Sequence, residues 1–230
     1  MSDAVNTAIP LALHPETLKA IGDEYQDDPV VTTLRDALST ARASHEATLT
    51  GHRKILADPT QTPAANWQRS ATAAARRQEE ALRRLDSALD RARRELDTIN
   101  EAVNRVPDPP APHVTRMIAE SLRTMGPKER RAAIAEALQA GDGAVIGAVC
   151  YIGPAFAYGL SREERYMLRL QHQQAAYPAA LARREALENA VDLVKLGGQA
   201  LILAHTKMYD QHQLDHAAAL ARAASDAMGD

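Results

Sequence analysis

The chain has 230 residues, a length that suits one large domain or two small ones around a buried core. It contains 46 alanines but only 11 glycines, one phenylalanine and one tryptophan. Because alanine favours helices whereas sheets favour β-branched and aromatic residues, we predict an all-α fold. The formal charge of −3, with 25% charged residues, argues against a dedicated nucleic-acid-binding or membrane-surface protein.

The cysteine content and the apolar runs bear on location. The single cysteine, Cys150, has no second thiol with which to form an internal disulfide. The first residues do not combine a basic region with an apolar run, so we expect no secretory signal. The longest apolar run, Ala200 to Ala204, is far shorter than the roughly 20 residues that a membrane span needs. We therefore expect no membrane partner, and a cytoplasmic protein or a component of a particle assembled in the cytoplasm.

The first helix is predicted to begin after an N-terminal arm, residues 1–28. Asp28 is a favourable N-cap and Pro29 suits the first helical position. Apolar and small residues then recur every three or four positions over about 27 residues, which corresponds to roughly 40 Å of helix. This stripe consists of Val31, Leu34, Leu38, Ala41, His45, Thr48, His52 and Ile55. Two prolines, Pro59 and Pro63, bracket the turn that ends it.

The second helix carries the most regular pattern in the chain. Thr62 and Pro63 repeat the cap-then-proline signal, and a helix of about 43 residues, roughly 64 Å, is predicted from there. Its stripe consists of Ala71, Ala75, Gln78, Leu82, Leu85, Leu89, Ala92, Leu96, Ile99, Val103 and Val106. Alanines beside the stripe favour close antiparallel packing on the first helix. A self-associating coiled coil is the alternative.

Proline and glycine positions predict the division of the rest of the chain. Four prolines within 107–112 cannot be helical and form a stiff spacer. We therefore predict four segments: an N-terminal arm (1–28), a long antiparallel helical hairpin (29–106), a proline-rich linker (107–113) and a C-terminal helical bundle (114–230).

Within the C-terminal segment, the pattern predicts shorter helices followed by longer ones. Two short helices are expected over 114–124 and 128–140. Ser161 and Glu164 form a capping-box signature, which predicts the start of a long helix that Pro178 kinks. The pair Gly197-Gly198 predicts a break before a final helix that begins at Gln199.

The patterns favour a non-enzymatic structural or assembly protein that acts through contacts with other proteins or with copies of itself. No serine, cysteine or carboxylate pair lies in a recognisable nucleophile or acid–base motif, and no cofactor is predicted. The predicted contact residues are the apolar side chains of the second and last helices: Leu82, Leu85, Leu89, Leu96, Ile99, Leu201, Ile202 and Leu203.

A nucleic-acid-associated protein is the second hypothesis. The second helix carries a cluster of arginines that could contact phosphates. The predicted polyanion contacts are Arg76, Arg77, Arg83, Arg84, Arg91 and Arg94. Glutamates four residues before Arg83 and Arg84 predict, instead, ordinary ion pairs on a solvated helix. The helical hairpin over 114–138 could also approach DNA, but its second helix offers few polar side chains for base edges.

A metal-dependent enzyme built on histidines is the third hypothesis. His212 and His216 are four residues apart, which places them on one helix face, and His205 precedes them by one heptad. His45 and His52 belong to the stripe of the first helix. Polar residues that set helix register, or a solvated stripe, are the more common roles for histidines at such positions.

One stretch resembles a known group of proteins. It comprises Ala140-Gly-Asp-Gly-Ala-Val-Ile-Gly-Ala-Val and Gly153-Pro-Ala-Phe-Ala-Tyr-Gly-Leu-Ser-Arg-Glu-Glu164, about a tenth of the chain. These residues resemble segments of uncharacterised helical proteins of tailed bacteriophages and prophages. The resemblance implies a role in a virion or in its assembly, and it implies no catalytic residue.

Overall fold

The computed structural model describes residues 8–209 and, beyond them, 214–216, 218–219, 222–223 and 226. Their regular structure is entirely helical, with no strand among them, which confirms the predicted all-α class. The α-helices are α1 (Pro29–Leu56), α2 (Pro63–Asn104), α3 (Pro112–Thr124), α4 (Pro127–Ala140), α5 (Gly143–Ile146), α6 (Arg162–Ala176) and α7 (Pro178–Met208). Tighter helical turns cover Leu11–Leu13, Pro15–Ile21, Asp23–Tyr25 and Ala155–Tyr158, and a π-helical turn covers Gly147–Tyr151. None of these helices has the length and apolarity that crossing a membrane requires.

Two predicted helix starts, those after Asp28 and Ser161, are confirmed by their capping bonds. The Asp28 carboxylate accepts hydrogen bonds from the backbone N–H groups of Val30, at 2.8 Å, and Val31, at 3.4 Å. The capping box at α6 is complete, because Ser161 Oγ accepts from Glu164 N at 3.0 Å and a Glu164 oxygen accepts from Ser161 N at 2.9 Å. These bonds satisfy N–H groups that have no partner within the helix.

Two predicted features of the C-terminal half are wrong. The chain does not form one helix kinked at Pro178, because α6 ends at Ala176 and α7 begins at Pro178, with Tyr177 between them in a non-helical conformation. Proline disfavours helical backbone in the residue before it, which explains this break. The helix does not break at Gly197-Gly198 either, because α7 continues through both glycines.

Gly197 has a packing role that explains why the helix continues there. A Cβ atom at this position would lie 2.6 Å from Leu38 Cδ2 and 2.9 Å from the Ala12 carbonyl oxygen. Both distances are shorter than a van der Waals contact, so only glycine lets α7 approach α1 and the N-terminal turns this closely. The same glycine that weakens the helix locally therefore permits its tertiary packing.

The chain forms two compact units. Unit 1 comprises the described residues within Met1–Leu96 and Glu185–Asp230, and unit 2 comprises Asp97–Arg184. The two units are defined by contacts between residues, whereas the four predicted segments rest on proline and glycine positions. The segments therefore stay a prediction.

Unit 1 has a core built mainly of leucine and alanine. Its fully buried side chains include Leu13, Leu18, Leu34, Leu85 and Leu187. The first two belong to the N-terminal segment that precedes α1. That segment is bonded to α1, because Arg35 donates a hydrogen bond to the Gln26 carbonyl at 3.1 Å.

Unit 2 has a separate core around the segment between α4 and α6. Its buried residues are Leu122, Ile134, Ile146, Ala148, Val149, Cys150, Ala155, Tyr158 and Leu160. Many of them are small, so the short α5 helix and the π-helical turn pack closely against α3 and α6. The segment 146–160 therefore supplies most of this core.

Candidate functional site

An apolar groove lies in unit 2 between α4 and α6. Its volume is about 600 Å³. The groove is lined by Arg131, Ile134, Leu160, Glu163, Glu164, Met167, Leu168, Leu170, Gln171 and Gln174. Half of these residues are apolar and charged ones lie among them, a composition that is typical of protein-binding surfaces.

Met167 is the most exposed apolar side chain of the groove. It is 60% exposed, whereas Ile134 and Leu160 are buried at 2% and 8%. The capping box at Ser161 sets the start of α6, and the helical period then places Glu163 and Met167, four residues apart, on one face. The helix therefore presents a flexible thioether side chain to solvent, in a site where methionine could pack against varied surfaces.

An ion pair lies beside the groove and joins its two helices. Arg131 of α4 contacts Glu164 of α6, with 2.7 Å between Nη2 and Oε1. The pKa of the Glu164 carboxyl is lowered, first by its hydrogen bond from Ser161 N and then by Arg131. The carboxylate therefore stays ionised and contributes a charged edge to the groove.

The residues predicted as protein contacts do not line this groove. Leu85, Leu89, Ile99 and Leu201 are buried at 2 to 7% exposure, and Leu82 and Leu96 are half-buried. Ile202 and Leu203 are exposed, at 47% and 54%. The contact assignment stays a prediction, and of these residues only Ile202 and Leu203 are largely open to solvent.

Sequence reasoning missed Met167 because the stripe of α2 was the strongest periodic signal. The signal for Met167 is weaker. It is a single large apolar residue in a stretch of α6 whose neighbours include Arg162, Glu163, Arg165 and Arg169. Such a residue indicates a surface contact only after the fold shows that it does not enter the core.

The arginines of α2 lie on the helix surface and make contacts within α2 or with α1. Arg83 pairs with Glu79 at 2.6 Å and Arg84 with Glu80 at 3.0 Å, as the spacing predicts. Arg91 donates to Thr33 Oγ1 at 3.1 Å. Arg77 donates to the Ala47 carbonyl at 3.1 Å, Arg76 lines a shallow cavity beside α1, and Arg94 is held by further interactions. Polyanion binding by these residues stays a prediction.

Arg130, in the 114–138 segment, has a structural role within unit 2. Arg130 donates to the carbonyl oxygens of Leu122, at 2.7 Å, and Met125, at 3.0 Å, and also to that of Gly159. Its guanidinium group therefore ties α3, α4 and the loop before α6 together. These bonds occupy a side chain that a DNA-reading hairpin would present to phosphates.

A network of buried polar and aromatic side chains lies in unit 1. His52 of α1 and Ser70 of α2 are joined by a 2.9 Å hydrogen bond, and Ser70 Oγ lies 2.8 Å from the Tyr209 hydroxyl. The Tyr209 ring also contacts those of His52, Trp67 and His205, with centroids 5.1 to 5.6 Å apart. Histidines from the first and last predicted helices therefore meet around one tyrosine.

Several polar atoms of this network have no hydrogen-bond partner among the described residues. They are Nε2 of His45, His52 and His205, and Nε1 of Trp67. Burial lowers the pKa of all three histidines, and the neighbouring His45 lowers that of His205 further. The imidazoles are therefore neutral at pH 7, and the network consists of uncharged groups.

The histidines also bear on the metal hypothesis. Among the residues that the structure describes, no three histidine, cysteine or acidic side chains are placed to hold a metal ion. His216 is exposed, and His212 lies outside the described residues. Cys150 is buried, and burial raises the pKa of its thiol to about 11, so it is protonated at pH 7.

Comparisons with known proteins add no relative. A scan against protein-family models finds no match for the chain, and searches of curated proteins and of solved structures find none either.

Proposed function

We propose that this chain is a non-enzymatic helical structural or assembly protein that acts through contacts with other protein chains, copies of itself included. The observation that carries the proposal is the groove between α4 and α6, with Met167 60% exposed beside buried Ile134 and Leu160. An apolar groove with charged residues in its lining matches the apolar face and polar edges of an amphipathic helix. We therefore expect a helix of another chain as the occupant.

In this proposal, α1 and α2 form an antiparallel hairpin that serves as a scaffold. Three cross-helix hydrogen bonds support it. Thr33 accepts from Arg91, Ser44 Oγ donates to the Arg77 carbonyl at 3.2 Å, and His52 bonds Ser70. Residue numbers rise along α1 as they fall along α2, which is the order that antiparallel helices require.

The resemblance of residues 140–164 to tailed-phage proteins suggests the kind of assembly. A virion, or a particle that precedes it, would use such a chain in repeated copies, and repeated copies need a defined contact surface. The resembling segment ends at Glu164, which lines the groove. The phage assignment belongs to the proposal and rests on the resemblance alone.

Solution mass tests the self-assembly form of the proposal. We expect the mass of the wild-type chain to rise above 24.9 kDa with concentration in sedimentation or light-scattering measurements. Met167→Glu would place a charge in the groove and weaken association by about tenfold or more. Ala175→Glu adds the same charge at an exposed position of α6 outside the groove, and it should behave like the wild type.

A wild-type chain that stays at 24.9 kDa at every concentration would show that self-assembly is wrong. Equal effects of Met167→Glu and Ala175→Glu would show that the groove is not the contact surface. If the wild-type chain stays monomeric, the proposal requires a different protein chain as the occupant of the groove.

A further inference from the structure

A second cavity in unit 2 lies against another face of α6. Its volume is about 600 Å³, within the range of small-ligand sites. Arg162, Arg165 and Arg169 line it from α6, at a spacing of three and four residues that places them on one side of the helix. The remaining lining residues are Cys150, Tyr151, Gly153, Pro154, Ala155, Phe156, Leu160 and Tyr166.

The charge of this cavity is positive. No aspartate or glutamate is among its lining residues. Arg165 donates to the Gly153 carbonyl oxygen and Arg169 to Asn104 Oδ1, which are neutral acceptors that leave both positive charges uncompensated. Three guanidinium groups around one cavity favour an anionic ligand, because arginine binds phosphate and carboxylate through paired N–H donors.

The wall opposite α6 is held in place by bonds within unit 2. Gly153 and Gly159 have φ values of 69° and 68°, which allow the chain to turn twice between the π-helical turn and α6. The Tyr158 hydroxyl donates to the Ile152 carbonyl at 2.9 Å, and Arg130 donates to that of Gly159. The cavity is therefore formed before any ligand arrives, which reduces the entropy cost of binding.

Aromatic rings accompany the arginines. Phe156 is 76% exposed and Tyr166 is 65% exposed, so both rings are open to solvent at the cavity. Inside, the Arg169 guanidinium lies 5.0 Å from the centre of the Tyr151 ring, a cation–π contact that orients its charge. Exposed rings beside arginines are the combination that binds nucleobases and phosphates together.

We propose that this cavity binds a nucleotide phosphate, with the arginines on the phosphate and with Phe156 and Tyr166 against the base. Inorganic phosphate alone would leave most of a 600 Å³ cavity unfilled. An acidic peptide would satisfy the arginines but would not require the two rings. A free nucleotide and a single-stranded nucleic acid both present this combination of a phosphate group and a base.

Calorimetric titration of the whole chain at low ionic strength tests the proposal. The probes are adenosine monophosphate, a short 5′-phosphorylated oligothymidylate, inorganic phosphate and a glutamate-rich peptide. We expect 1:1 binding of a nucleotide probe, and Arg162→Gln and Tyr166→Ala should each weaken it about tenfold. Both side chains are exposed, so neither change should disturb folding. Arg53→Gln removes an exposed arginine of α1 and should leave binding unchanged.

The probes also separate the possible ligands. Equal affinity for the monophosphate and the oligonucleotide indicates a free nucleotide, and a much tighter oligonucleotide with a strong salt dependence indicates a single strand. Failure of the wild type to bind either nucleotide would overturn the proposal. So would tighter binding of the glutamate-rich peptide, an effect of Arg53→Gln equal to that of Arg162→Gln, or binding that Tyr166→Ala leaves intact.

Discussion

Unit 1 and unit 2 differ in where they bury polar side chains and in where they place exposed apolar ones. The buried polar side chains among the described residues, which are His45, Thr48, His52, Asn66 and Ser70, all lie in unit 1. In unit 2, each of the large exposed apolar or aromatic side chains lines a cavity or groove; they are Met117, Phe156, Tyr166 and Met167. Buried polar side chains that bond one another favour a single packing arrangement of the helices around them. Exposed apolar side chains at concave surfaces are available to a partner.

This contrast supports different roles for the two units. The core of unit 1 packs long helices through leucines, and its arginines mostly bond within the unit. Unit 2 builds concave surfaces from a short loop and from two faces of α6. We therefore assign the scaffold to unit 1 and the binding surfaces to unit 2, as part of the proposed function. Three mutational or pH experiments test the scaffold assignment.

The largest expected effect separates two leucines of unit 1 that were both predicted as contact residues. Leu85→Ala should lower the free energy of unfolding by about 2–5 kcal/mol, because Leu85 is 2% exposed and the change leaves a cavity. Leu203→Ala is the matched control at 54% exposure and should change it by no more than about 0.5 kcal/mol. Urea unfolding of both variants measures the difference, and equal effects would contradict the assignment of Leu85 to the scaffold core.

An intermediate effect is expected at the two adjacent glycines of α7. Gly197→Ala should destabilise the protein by about 1–3 kcal/mol, because the new Cβ would lie 2.6 Å from Leu38 Cδ2. At Gly198 the new Cβ would meet Leu85 Cδ1 at 3.8 Å, an ordinary van der Waals distance, so Gly198→Ala should stabilise the helix by up to about 1 kcal/mol. Thermal unfolding of the pair measures this, and the same sign at both positions would contradict the packing role of Gly197.

The smallest expected effect is a loss of stability in mild acid. Burial lowers the pKa of His45, His52 and His205 below the ordinary value of 6.5, so the unfolded chain takes up protons first as the pH falls. Their stabilising contribution is complete above about pH 6.5 and is lost as the pH falls through their folded-state pKa values.

His172 of unit 2 provides the comparison, because burial lowers the pKa of its imidazole as well. Unit 1 has three such groups in one neighbourhood, so we expect acid to weaken unit 1 more than unit 2. Amide hydrogen exchange at pH 7 and at about pH 5.5 resolves the two units. Equal acid sensitivity of both would show that the buried network does not control the stability of unit 1.

The helix starts could be predicted from sequence because they depend on a few adjacent residues. Asp28 with Pro29, and Ser161 with Glu164, satisfy helix N–H groups locally, and nothing distant changes that. The conformation at Gly197 could not be predicted from adjacent residues. Its local preference favours a break, but the close approach of Leu38 and Ala12, far away in sequence, decides its conformation.

The proposed binding surfaces are harder to predict from sequence than the helices. The spacing of Arg162, Arg165 and Arg169 is visible in the sequence, but the more numerous arginines of α2 dominate the pattern. The wall that completes the cavity depends on Arg130, whose bonds to Leu122 and Gly159 no local pattern indicates. Similarly, the burial of Leu85 and the exposure of Met167 depend on which helix faces pack together.

Site-specific photo-crosslinking tests the central claim, that the groove of unit 2 is the surface that contacts another chain. A photoreactive residue would replace Met167 in the groove or Arg84 on the exposed face of α2, in the purified chain and in cells that express it. We expect crosslinks to a second chain, identified by mass spectrometry at a defined peptide, from position 167 and not from position 84. Crosslinks from position 84 alone, or from neither position, would contradict the assignment of the contact surface to unit 2.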